Sequence, residues 1–77
     1  MNEISTLSKK FGIRIKFERI KRNWSQETLA EKAGIGRTTL TNIERNLSST
    51  TLDVVEKLAK AFGYEPHELL IFKDLEI

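Results

Sequence analysis

Residues 25–46 read SQETLAEKAGIGRTTLTNIERN, and the fold is decided there. The spacing predicts two short helices joined by a glycine turn. Leu29, Ala30 and Ala33 fall at i, i+1 and i+4, an inward stripe for a short first helix. Gly34 ends that helix, because a left-handed C-terminal residue costs glycine nothing. The second helix holds its apolar residues at Leu40 and Ile43, and the small Ala30 lets the two helices approach closely where they cross.

At about 100° per residue, Thr38, Thr41, Asn42 and Arg45 lie opposite the Leu40/Ile43 stripe. Arg37 sits at the flank of that face, near the helix N-terminus. Arg and Asn can pair bidentately with guanine and adenine edges, and a Thr methyl can meet the thymine methyl. An ordinary solvated face more often carries Glu and Lys than two threonines and an asparagine. The layout is that of a nucleic-acid-reading helix-turn-helix.

On these residues the chain resembles the Xre/Cro/lambda-repressor-like helix-turn-helix regulators of bacteria and phages. Counting from Gln26 as the first motif position, that family places a small residue fifth, glycine ninth, and apolar residues fifteenth and eighteenth. Here those are Ala30, Gly34, Leu40 and Ile43. Arg19 precedes the motif, Ile43-Glu44-Arg45-Asn46 closes its second helix, and Gly63 is followed by Pro66-His67-Glu68-Leu69-Leu70. The resemblance spans about residues 9–70. It implies that Glu44 pairs with Arg19 and holds that guanidinium toward a phosphate; the alternative is an ordinary surface glutamate. It also implies an apolar residue where this chain has Glu18, a departure that bears on how helix 1 is oriented.

Seventy-seven residues suit one domain, near the lower size at which a single core suffices. With no cysteine, neither disulfides nor a thiolate metal site is available. No segment reads as a signal peptide or membrane span, and the longest purely apolar run is Leu69 to Phe72. A cytoplasmic protein is expected. Residues 1–45 hold ten Lys/Arg against five Asp/Glu, whereas residues 46–77 hold three against six. The positive half contains the motif, as attraction to phosphate requires. Lys9, Lys10, Arg14, Lys16, Arg19, Lys21 and Arg22 crowd one segment in which Glu18 is the only acid, so this run is expected near DNA.

Periodicity and punctuation give an all-α domain of five helices over residues 1–77. Helix 1 should span about 5–22, Ser25 should cap helix 2, and Gly36 is a permissive, weaker cap for helix 3. Thr50 with Asp53 reads as a capping box for helix 4. Leu52, Val55, Leu58, Ala59 and Phe62 form its core-facing stripe, and Gly63 ends it. Pro66 suits the first turn of a fifth helix, where a missing N–H is harmless. Helix 1 carries two apolar stripes. Ile4, Leu7, Phe11 and Ile15 lead on to Glu18 and Arg22, while Ile13, Phe17, Ile20 and Trp24 lie roughly opposite. Trp24 is expected to plug the core rather than offer a stacking platform.

Catalysis is not supported. Nine serines and threonines lie between Ser25 and Thr51, but the lone His67 supplies no plausible base and no second metal ligand. There is no phosphate loop or zinc-ligand spacing, and too little chain to enclose a substrate. No metal, cofactor or small-molecule ligand is expected. RNA binding is disfavoured because exposed aromatics for base stacking are lacking.

The expected function is a transcriptional regulator binding double-stranded DNA as a homodimer on a partly palindromic operator. The family includes controller proteins of restriction–modification systems and small phage repressors. The alternative is an interaction module such as a DNA-binding antitoxin. Base readers are expected to be Arg37, Thr38, Thr41 and Asn42, in the major groove; Arg37 could equally be held by a neighbouring phosphate. Phosphate contacts are expected from Arg19, from Gln26 at the N-terminus of helix 2, and from Arg45, Asn46, Ser48, Ser49 and Thr50. Dimerisation is expected through residues 64–77, with Ile13, Phe17, Leu69, Ile71, Phe72 and Leu75 at the interface and Leu70 and Ile77 among the same tail's apolar groups. The alternative is a tail that folds back to finish the monomer's own core.

Overall fold

Short polar side chains start three of the helices by accepting backbone N–H groups that have no partner within the helix. The computed structural model describes residues 4–75. Ser5 caps α1 (Thr6–Lys21) by accepting from the Ser8 N–H at 3.0 Å. Ser25 does the same for α2 (Gln26–Ala33), accepting from Thr28 at 3.0 Å. Gly36 precedes α3 (Arg37–Glu44) without a side-chain cap, as expected. The cap of α4 (Leu52–Phe62) is Thr51, whose Oγ1 accepts from the Val54 N–H at 3.2 Å. The expected capping box of Thr50 with Asp53 is therefore off by one residue, and the adjacent threonine takes the role.

Each helix is followed by one left-handed residue: Asn23 (φ 60°), Gly34 (φ 70°), Asn46 (φ 59°) and Gly63 (φ 81°). The next N–H then turns back onto the helix, as in Ile35 N–H to the Ala30 carbonyl at 3.0 Å and Leu47 N–H to that of Asn42 at 2.9 Å. At Gly34 and Gly63 the missing Cβ makes this conformation nearly free. Asparagine tolerates it best among the other residues and supplies it twice.

The expected fifth α-helix is instead two 3₁₀ turns, Pro66–Leu70 and Lys73–Leu75. The first has a capping box: Glu65 N–H donates to the Glu68 carboxylate at 2.8 Å, and the Glu65 side chain accepts in return. Pro66 stands in its first turn, where a missing N–H does no harm. His67 is exposed there. The segment is too short for cooperative α-helix, and its register is set by one buried anchor, Leu69.

The core joins Phe11 and Ile15 of α1, Leu29, Ala30 and Ala33 of α2, Leu40 and Ile43 of α3, Val55, Leu58, Ala59 and Phe62 of α4, and Leu69. Trp24 packs at its edge, stacked on Phe62 with ring centroids 5.8 Å apart and planes within 7°. It is half-buried and flanks the core where a plug was expected. Leu52 leaves the expected stripe: as the first residue of α4 it is 83% exposed. Leu7, at the first turn of α1, is likewise exposed, so only Phe11 and Ile15 of its stripe reach the core.

The stripe continues into Glu18, which is 1% exposed. Its carboxylate accepts from Arg14 at 2.9 Å, Arg22 at 2.6 Å and the Tyr64 hydroxyl at 3.0 Å, with Lys21 3.3 Å away. Burial alone would push the Glu18 carboxyl up. The hydrogen bonds from Arg22, Tyr64 and Lys21 outweigh it and hold the carboxyl below its ordinary range. Arg22 also lies over the Phe62, Tyr64 and Trp24 rings, 4.7 to 5.6 Å from their centroids. Where the resemblance implies an apolar residue, this chain thus holds a carboxylate with a set of internal donors.

Arg14 reaches from this cluster to the C-terminal tail. It donates to the Ile71 carbonyl and to Asp74, with both Asp74 oxygens within 3.0 Å. The tail therefore packs beside Arg14 and Glu18, not on the second stripe; Ile13, Phe17 and Ile20 remain exposed on the outer side of α1. Leu69, expected at a dimer interface, is wholly buried in the monomer's own core and has no side chain to offer a partner. Ile77 lies outside the described residues.

Candidate nucleic-acid interface

α2 and α3 pack against each other across the Gly34 turn, which sets Gln26 at the start of α2 beside Thr41 in the middle of α3. A chain of four side chains links this junction to α1. Arg19 donates through Nε and Nη2 to the two Glu44 oxygens, at 2.8 and 2.9 Å, and through Nη1 to the Trp24 carbonyl at 2.9 Å. Gln26 Nε2 donates to Glu44 at 3.2 Å, and the Thr41 hydroxyl donates to Gln26 Oε1 at 3.2 Å. Glu44 is buried, so its two-point pair with Arg19 is charge-assisted and largely shielded from water. The same pair raises the Arg19 pKa above its ordinary value. The Arg19–Glu44 pairing implied by the family resemblance is present. With three of its five N–H groups used internally, Arg19 keeps one on each terminal nitrogen for an outside acceptor.

The expected base readers share α3. Arg37 and Thr38 are exposed at its first turn, while Thr41 and Asn42 are half-buried one turn later. Arg37 lies 3.8 Å from Glu27, and both side chains are more than 60% exposed, so this pair holds it weakly. Arg45 is exposed just past the helix. Asn46 is less available than expected: its Oδ1 is buried against α1, leaving only the amide nitrogen to donate. Ser48, Ser49 and Thr50 occupy the link from α3 to α4, half-buried, exposed and half-buried in turn.

The basic run divides by residue type. Arg14, Arg19 and Arg22 turn inward to Glu18, Glu44 and Asp74, whereas Lys9, Lys16 and Lys21 are exposed. Three charges expected near DNA therefore hold the monomer together first. Periodicity puts Glu18 and Arg22 on the continuation of the first apolar stripe, but only the positions of Asp74 and Tyr64 show what Arg14 and Glu18 bind. Among the described residues, no cluster of metal-ligating side chains occurs and no helix is long and apolar enough to cross a membrane.

Residues 15–69 match the family model described as helix-turn-helix. The chain belongs to this family. It is a DNA-binding transcriptional regulator of the Xre/Cro-like type, and its described residues form a lambda-repressor-like arrangement of four α-helices and two 3₁₀ turns. Its relatives include the control protein C.BamHI of Bacillus amyloliquefaciens, 41% identical over 63 residues, which cover 80% of this chain and 78% of that protein. The restriction–modification controller protein C.AhdI of Aeromonas hydrophila superposes with a TM-score of 0.76 at 39% identity, covering 80% of this chain and 94% of the other. The biofilm master regulator SinR, crystallised in complex with DNA, superposes with a TM-score of 0.74 at 37% identity, covering 79% and 98%.

Proposed function

We propose that the chain binds a specific, partly palindromic duplex as a homodimer and regulates transcription there as a controller protein or small repressor. The observation that carries this reading is the face of α3. Arg37, Thr38, Thr41 and Asn42 line it, and the Arg19–Glu44–Gln26 chain supports it from behind. Those four residues enter the major groove. Gln26, Arg19, Arg45, the Asn46 amide, Ser48, Ser49 and Thr50 follow the phosphates on either side. The chain acts in the cytoplasm and needs no cofactor or small-molecule ligand.

The dimer forms through residues 64–77. Leu70 and Ile71 are exposed there. Phe72 and Leu75 are half-buried beside them, and Ile13 and Phe17 are exposed on the outer side of α1. Paired through the tail, two copies place their reading helices about one DNA turn apart, roughly 34 Å.

Selection from random duplexes, followed by a titration of the winner against salt, tests the function. A single motif with two related half-sites should emerge. If the dimer neutralises about six to ten phosphates, affinity should fall about 10³–10⁵-fold between roughly 50 and 200 mM salt. No enrichment and a flat salt dependence would overturn the reading in favour of a protein-interaction module such as an antitoxin.

A further inference from the structure

Thr41 carries a hydroxyl, which in general both donates and accepts and so tells one base edge from another poorly. Here its hydrogen is committed. Glu44 is a carboxylate, held by Arg19 at two points, and a carboxylate only accepts. The Gln26 amide therefore has to turn its nitrogen toward Glu44, 3.2 Å away, which points its carbonyl oxygen the other way. That oxygen also only accepts, so Thr41, 3.2 Å from it, has to donate. The polarity of each bond follows from the one before, beginning at the buried ion pair between α1 and α3.

We propose that Thr41 reads the major groove as an acceptor only, its hydroxyl proton being held by Gln26 under the control of Glu44. The groups it then recognises are the exocyclic amino groups, cytosine N4 and adenine N6, which are the only major-groove donors. It cannot donate to guanine O6 or N7, or to thymine O4. Glu44 and Gln26 act here as positioning residues, setting a base preference at a position that neither of them touches. This rests on the proposed use of α3 in the groove, and it adds a specificity that the residue type alone does not supply.

The test uses the full chain and the duplex selected by it. Thr41→Val keeps the shape and removes the hydroxyl, and comparing its selected motif with the wild type marks the base pair that residue 41 reads. That position should be cytosine or adenine on the contacted strand. Replacing that base by its analogue without the amino group should weaken wild-type binding roughly 2- to 10-fold, the size of one hydrogen bond, and leave Thr41→Val unaffected. Glu44→Gln, whose amide can face Gln26 with either end, should widen the preference at this one position to include guanine. Thermal denaturation shows whether that variant is folded; if it is not, the analogue experiment with Thr41→Val decides alone. Guanine or thymine at the marked position, no penalty for removing the amino group, or no position marked at all would each overturn the proposal. Failure to select any duplex would instead overturn the DNA-binding reading beneath it.

Discussion

Gly12 on α1 and Asn46 at the end of α3 meet at a distance that leaves no room for a side chain between them. A Cβ at position 12 would stand 2.8 Å from Asn46 Oδ1 and closer still to the Ile43 carbonyl oxygen. Backbone cannot move aside as the tip of a flexible side chain does, so α1 and α3 are in contact at their limit. Gly12→Ala should therefore push α3 off α1 and destabilise the chain by about 1–3 kcal/mol, although alanine is the better helix former. Denaturant unfolding measures the loss, and a neutral or stabilised Gly12→Ala would show that the two helices have slack between them.

The Glu18 cluster predicts an acid-sensitive fold. The Glu18 carboxyl is held below its ordinary value of 4.5, so its contribution is fully present above that value and is lost as pH falls through the lower, folded-state value. Asp74, beside Arg14, is displaced in the same direction and adds to the same window. Trp24 is the chain's one tryptophan, and its fluorescence reports the neighbouring Phe62 stack. Wild-type stability should decline below about pH 4.5. Glu18→Gln should cost about 3–5 kcal/mol at neutral pH, because Arg14 and Arg22 lose their buried counter-charge. It should also flatten the acid dependence. Equal slopes for the two proteins in acid would mean that other groups govern the loss.

Much of this was legible beforehand, and the limits have physical causes. The motif from Ser25 to Asn46 was readable because its signals are local: a hydroxyl cap, a glycine stop and an apolar period. Thr50 and Thr51 offer equivalent hydroxyls, and only the backbone conformation chooses between them. The tail forms 3₁₀ turns in place of a fifth α-helix, and Leu69 belongs to the core in place of an interface, because an apolar run does not state which member faces inward; Leu69 does and Leu70 does not. The partners of Arg14 are not legible for a related reason, whereas the Arg19–Glu44 pair is implied by the family resemblance. Arg14 finds Asp74 across 60 residues, a distance at which periodicity carries no information.

Reading by α3 makes a separable prediction for specificity. Arg37→Ala or Asn42→Ala should weaken binding to the selected operator by about 1–3 kcal/mol and relax preference at particular base pairs. Lys9, exposed on the first turn of α1, is the control: Lys9→Ala should lower affinity for operator and random duplex alike, or do nothing. Footprinting on operator variants separates base readout from phosphate contact. Unchanged discrimination in both Arg37→Ala and Asn42→Ala would remove α3 from the groove.

The dimer is predicted from apolar side chains that the fold leaves in water. Ile71 is 51% exposed, Leu70 38%, Phe17 42% and Ile13 40%. Beside the tail, Leu7, Leu52 and Leu70 rim a depression floored by Phe11 and Val55. Soluble monomers rarely expose large apolar patches without a use for them. Arg14 fixes the tail by its grip on Ile71 and Asp74, so Ile71 and Leu70 are presented on a rigid strap, which lowers the entropy lost on pairing. The exposed groups fall on two sides of that strap, and charge substitutions tell them apart. Phe72→Asp, at its centre, should convert a dimer at micromolar concentration to monomer in sedimentation and weaken operator binding steeply, since each half-site must then bind alone. Phe17→Asp should do the same if the outer face of α1 completes the interface; if Leu52→Asp does so in its place, the interface lies on the Leu7/Leu52 side. A wild-type chain that sediments as a monomer and binds one copy per operator would remove the dimer altogether.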